Sequence, residues 1–116
     1  MLKPLVFDVI AVAVFAVLAR LAHGGVSPAA VVDTFWPFAV GVLIGAVIIA
    51  ATKLAPASLS GGVVMWLAVA ATGLGIWGIR HAAVPHISFI LVASIMSGLL
   101  LLGWRVAARF VASRAV

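Results

Sequence analysis

Only two side chains in this sequence can carry a negative charge, Asp8 and Asp33. Both fall close to long apolar runs. An ionisable group inside hydrocarbon is expensive, and it is the first candidate for function wherever it occurs. Asp8 lies about four residues into a run that begins near Pro4, roughly 6 Å along a helix axis. A lone carboxylate at that depth costs on the order of 1–3 kcal/mol, so it either faces a partner or takes up a proton. Arg20 is on the same run but about 18 Å further along the axis, out of reach. The expected partner is Arg105, at the end of the last apolar run, with Lys3 and Lys53 as weaker choices. Two chemistries follow from this position. One is a structural ion pair that fixes helix register; the other is a protonatable group coupled to movement of a solute.

A second group of polar residues gathers at the other ends of the apolar runs: Arg20, His23, Asp33, Arg80, His81 and His86. Two arginines compete there for one acid. A surplus guanidinium beside histidines, rimmed by Trp36 and Trp77, could hold an anionic or phosphate-bearing ligand. The plainer outcome is that both arginines snorkel to water and Asp33 neutralises one of them. Metal or haem is disfavoured, because His81 and His86 straddle a Pro-containing link and zinc needs three or four well-supported ligands.

The absence of Cys excludes disulfides, thiolate metal sites and cysteine nucleophiles. Two carboxylates leave little for an acid/base pair. There is no Gly-x-Ser-x-Gly, no phosphate loop and no dinucleotide fingerprint. Neither an enzyme nor a cofactor is expected.

These residues must be positioned by elements that the composition defines. Of 116 residues, 67% are hydrophobic and 8% charged, with a mean hydropathy of +1.44. A soluble domain is roughly half apolar and about one quarter charged. The expected class is therefore all-α and membrane-integral: a four-helix transmembrane bundle forming one domain over residues 1–116. The spans are expected at about 4–22, 35–52, 62–79 and 86–104, each near the ~20 residues that cross a bilayer core. The links carry Gly, Pro and Ser, with Ser27-Pro28 a good cap and first-turn pair. Such short links make neighbouring helices antiparallel. Lys3 ahead of an apolar run resembles a signal peptide, but Asp8 interrupts the run early, and a retained span is expected.

Orientation follows the basic residues. Lys3, Lys53, Arg105, Arg109 and Arg114 fall on one side, Arg20 and Arg80 on the other, which puts both termini in the cytoplasm. Trp66 and Trp104 then sit at the inner ends of spans, Trp36 and Trp77 at the outer ends, as in an aromatic belt. The net charge of +5 faces anionic lipid headgroups, with the arginines at 105, 109 and 114 in the headgroup zone. Nucleic acid is not an expected partner, for want of a soluble basic domain.

Helices in lipid associate through small residues that let backbones approach. Gly41-x-x-x-Gly45, Ala71-x-x-x-Gly75 and Ser94-x-x-x-Gly98 each offer such a face. Packing within the chain is the first expectation for them, and a seam between copies the second. Pro37 is expected to kink the second helix or mark its start, leaving residues 28–33 as a short interfacial turn.

The residues from Asp8 to Gly24, with Trp36-Pro37-Phe38, Ser88-Phe89-Ile90 and Gly103-Trp104-Arg105, resemble a family of small four-span membrane proteins. That family is found mainly in actinobacteria and is catalogued as a domain of unknown function (domain of unknown function 3054). The resemblance covers nearly the whole chain. It implies four helices in a bacterial plasma membrane and carries no activity with it. By size the chain also resembles the small multidrug-resistance transporters, but those use a mid-membrane Glu, and this chain has no Glu. Two functional classes stay open: a small-solute or ion transporter or channel acting as an oligomer, and a non-catalytic accessory subunit of a membrane complex.

Overall fold

The computed structural model describes residues 2–22, 27–81 and 87–114. They form four helices in chain order: α1 (Leu2–Ala22), α2 (Pro28–Thr52), α3 (Leu59–His81) and α4 (Ile87–Arg114). No strand occurs among the described residues. All four helices are long and apolar enough to cross a bilayer, which makes the chain a multi-pass membrane protein. Its long axis measures 48 Å, more than the roughly 30 Å of a hydrocarbon core.

Each helix packs on its chain neighbours, and α4 closes the ring against α1. The diagonal pairs make no comparable contact, so the bundle is a square with a filled centre. Val12, Phe15, Phe38, Val42, Met65, Val69, Ala93 and Leu101 fill it. The Phe15 and Phe38 rings meet edge to face at 4.8 Å. The outer faces carry large apolar side chains, among them Val47, Ile79, Leu99 and Val111, all more than 60% exposed. In water such a surface would aggregate; against lipid it is the expected covering.

The helix ends follow local chemistry. Ser27 caps α2 by accepting from the Ala30 amide at 3.1 Å, with Pro28 in the first turn. That satisfies one of the orphan donors at a helix start. At its other end α2 stops on Lys53 in a left-handed conformation, φ 59°. Ser58 caps α3, its hydroxyl oxygen accepting from the Gly61 amide at 3.0 Å while its O–H donates to the Ala55 carbonyl at 2.6 Å.

Two expectations are corrected here. α2 does not begin near residue 35, and residues 28–33 are no separate turn: the helix starts at Pro28 and runs through Pro37. A proline inside a helix deprives the carbonyl four residues back of its donor. That carbonyl belongs to Asp33, and Arg80 of α3 donates to it through Nη1 at 3.5 Å. At the other end of the chain the arginine-bearing run continues the fourth helix, as its sequence suggests: α4 extends to Arg114, so Arg105 sits well inside its helix.

Candidate functional site

The Asp8 carboxylate and the Arg105 guanidinium meet inside the bundle, 1% and 0% exposed. The contact is a two-armed fork: Nη1 donates to Oδ1 at 2.8 Å and Nη2 to Oδ2 at 3.0 Å. Parallel N–H donors match the planar carboxylate, the strongest geometry available to such a pair. The remaining valences are filled as well. Nη1 also donates to the Leu101 carbonyl at 2.9 Å, and Nε to the Pro56 carbonyl at 3.0 Å. Asp8 Oδ1 accepts a further bond from the Trp104 indole at 2.9 Å. Among the described residues no buried side-chain N or O lacks a partner. Removing two charges from water costs several kcal/mol each, and only such complete bonding offsets it.

This site joins α1, α4 and the α2–α3 link at one guanidinium. It also depends on what is missing beside it. A Cβ on Gly62 would lie 2.6 Å from Arg105 Cδ and 2.7 Å from Leu102 Cδ2. The bare backbone there makes the channel through which the arginine stem passes. Phe7 packs on the Trp104 ring at 5.1 Å, and the Arg105 guanidinium lies 4.4 Å from that ring's centroid. Trp104 is thus turned into the bundle. Trp66 is too: its indole donates to the Ser94 carbonyl at 2.8 Å and lies against Gly98. Both indoles thus bond within the bundle. With Arg105 buried, Lys3, Lys53 and Arg109 are the described basic side chains left exposed at this end.

Beside the ion pair, bordered by α1, α2, the α2–α3 link and α3, lies a cavity of about 440 Å³. Leu5, Ala46, Ile49, Leu54 and Met65 wall it, Asp8 borders it and Lys53 stands at its edge. The opposite end of the bundle holds a smaller cavity of about 90 Å³, bordered by Arg20, Asp33, Phe38, Trp77 and Arg80. There Arg80 Nη2 donates to Asp33 Oδ1 at 2.6 Å, in a pair half open to its surroundings. The Arg80 guanidinium also lies 5.3 Å from the centroid of the Trp36 ring. Arg20, Asp33 and Arg80 therefore do share one cavity, with Asp33 committed to Arg80. The side chain of His81, and all of His23 and His86, lie outside the described residues. No group of three His, Cys, Asp or Glu that could hold a metal occurs among the described residues.

The small-residue faces divide. Gly41 and Gly45 turn toward α3, where a Cβ on Gly41 would lie 2.6 Å from Val69 Cα. Ser94 and Gly98 form the notch that receives Trp66. Ala71 and Gly75 do not pack within the chain: both are exposed, and nothing lies within 4 Å of a Cβ built on Gly75. In the middle of α3 the inward glycine is Gly73, against the Phe38 ring.

Sequence spacing does not single out Gly62 or the Pro56 carbonyl, and it does not show that Trp104 bonds to Asp8. The tandem Gly61-Gly62 at a helix start was the one available signal, since glycine weakens a helix unless close approach requires it.

No curated protein and no solved structure matches the chain. A family model described as "Protein of unknown function (DUF3054)" matches residues 5–108. That stretch crosses all four helices and holds both partners of the buried ion pair, and the chain belongs to this family.

Proposed function

We propose that this protein carries a small solute across a bacterial plasma membrane, with both termini in the cytoplasm. The observation that supports this reading is the pair of cavities at opposite ends of one bundle. Each borders an acid–arginine pair. Between them lies a plug of Val12, Phe15, Phe38, Val42 and Val69, each no more than 2% exposed. Two vestibules closed from each other by packed side chains suit alternate opening better than a continuous pore. The orientation rests on Lys3, Lys53, Arg109 and Arg114 outnumbering Arg20 and Arg80. In this reading Asp8 and Arg105 form the closure at the inner end, and no catalytic step is involved.

The cysteine-free sequence allows a direct test. In single-cysteine variants, Val42→Cys becomes labelled by a small permeant-path thiol reagent from either side if the plug opens. Protection of Val42→Cys from both sides, with Ala46→Cys labelled from the inner side, describes a static bundle and overturns the proposal.

A second reading, an accessory subunit or a homo-oligomer seam, is favoured by the outward face of Ala71 and Gly75. Small residues on a lipid-facing surface permit a helix from another chain to approach. Cross-linking at Gly75→Cys in native membranes distinguishes a second copy from a different partner by the mass of the product.

A further inference from the structure

We infer that the cavity at the Asp8 end binds one alkyl chain of an anionic amphiphile, with the chain between α1 and α2 and the anion on Lys53. The inference concerns one of the vestibules of the transport reading and rests on that reading only for the idea that the ligand moves.

Three observations converge. First, the cavity is about 440 Å³, within the range of small-molecule sites, and Leu5, Ala46, Ile49, Leu54, Pro56 and Met65 give it apolar walls. An alkyl chain gains with every methylene withdrawn from water, whereas a polar solute finds almost nothing to bond.

Second, the charge of the site comes from one group. Asp8 borders the cavity, but both its oxygens are engaged by Arg105 and Trp104, so it is a poor anchor for a cation. The exposed Lys53 at the edge leaves the site favouring an anion.

Third, Lys53 holds a left-handed backbone conformation at φ 59°, the one positive φ outside glycine among the described residues. This helix-ending position is usually given to glycine, because a Cβ crowds the backbone there. Backbone strain that persists at a cavity edge points to a use for the side chain.

The experiment is native mass spectrometry of the full chain released from a neutral detergent, with dodecanoate, dodecanol, phosphatidylglycerol and phosphatidylcholine as probes. The wild type should retain one dodecanoate, about fivefold more tightly than dodecanol, the worth of one lysine facing an anion. Lys53→Gln should erase that preference while keeping the chain bound, and Ala46→Phe should abolish retention of every probe. Retention of dodecanoate with rejection of phosphatidylglycerol identifies a free solute; retention of both, with phosphatidylcholine weaker, identifies a leaflet lipid. Either supports the inference. Equal retention of dodecanol and dodecanoate, or undiminished binding in a folded Ala46→Phe variant, overturns it. Leu43→Phe, on the exposed face of α2, controls for added bulk. Binding together with a permanently protected Val42→Cys would leave this site intact and sink the transport reading alone.

Discussion

The stem of Arg105 occupies the space a side chain on Gly62 would need: a Cβ there would stand 2.6 Å from Arg105 Cδ. The arginine cannot retreat, because its guanidinium is held on Asp8, Leu101 and Pro56 at once. Gly62→Ala should therefore destabilise the bundle by about 1–3 kcal/mol, the usual range for overpacking, despite alanine's better helix propensity. Unfolding in mixed micelles of neutral detergent and dodecyl sulfate measures this. A neutral or stabilising result would show that the arginine is less firmly held than its bonds imply.

The ion pair itself makes a second prediction. Losing one partner strands the other charge away from water, which costs about 3–5 kcal/mol in buried sites. Asp8→Asn and Arg105→Met should each be that severe, and Arg105→Lys nearly so, because an ammonium cannot serve two carboxylate oxygens and the Pro56 carbonyl together. The double variant Asp8→Asn/Arg105→Met should lose less than the sum of the singles. Coupling above about 1 kcal/mol in that cycle is expected of directly bonded partners, and additivity would contradict the geometry.

Glycines on opposite faces should behave in opposite ways. Gly41→Ala drives a methyl toward the α3 backbone at Val69 Cα and should loosen the α2–α3 seam by about 1–3 kcal/mol. Gly75→Ala meets nothing within 4 Å. It should be neutral or stabilising by up to about 1 kcal/mol, the helix-propensity gain over glycine. The same unfolding measurement separates them. A large loss at Gly75 in membranes but not in micelles would reveal a neighbour seated on that face.

Topology is testable with the native absence of cysteine. Ala57→Cys, in the exposed α2–α3 link, should resist a membrane-impermeant maleimide in intact cells and react in inverted vesicles. Ala29→Cys, at the start of α2, should do the reverse. The opposite pattern would place both termini outside.

The four helices were legible because hydrocarbon length and short Pro- and Gly-bearing links leave few alternatives. The Asp8–Arg105 contact was legible for a similar reason, since two acids and few basic groups at matching depth leave little choice. Other features were hidden for identifiable causes. The start of α2 was obscured because Pro37 reads as a breaker, while the donor serving the Asp33 carbonyl comes from Arg80, 47 residues away. The inward face of α3 was obscured because a membrane helix is apolar on every side, so spacing alone cannot tell Gly73 from Gly75. Trp104 has the composition of a headgroup anchor, and only the fold shows its indole bonded to Asp8.

The residues of the fork are 97 positions apart. At a ribosomal pace of about 5–20 residues per second, Asp8 emerges roughly 5–20 s before its counterion exists. During that interval the Asp8 side chain of α1 lacks the guanidinium that completes its bonding, and the ring of helices stays open on one side until α4 arrives. A chain arrested before its last helix therefore presents Asp8 with its bonds unmade, where the finished molecule has every one of them filled.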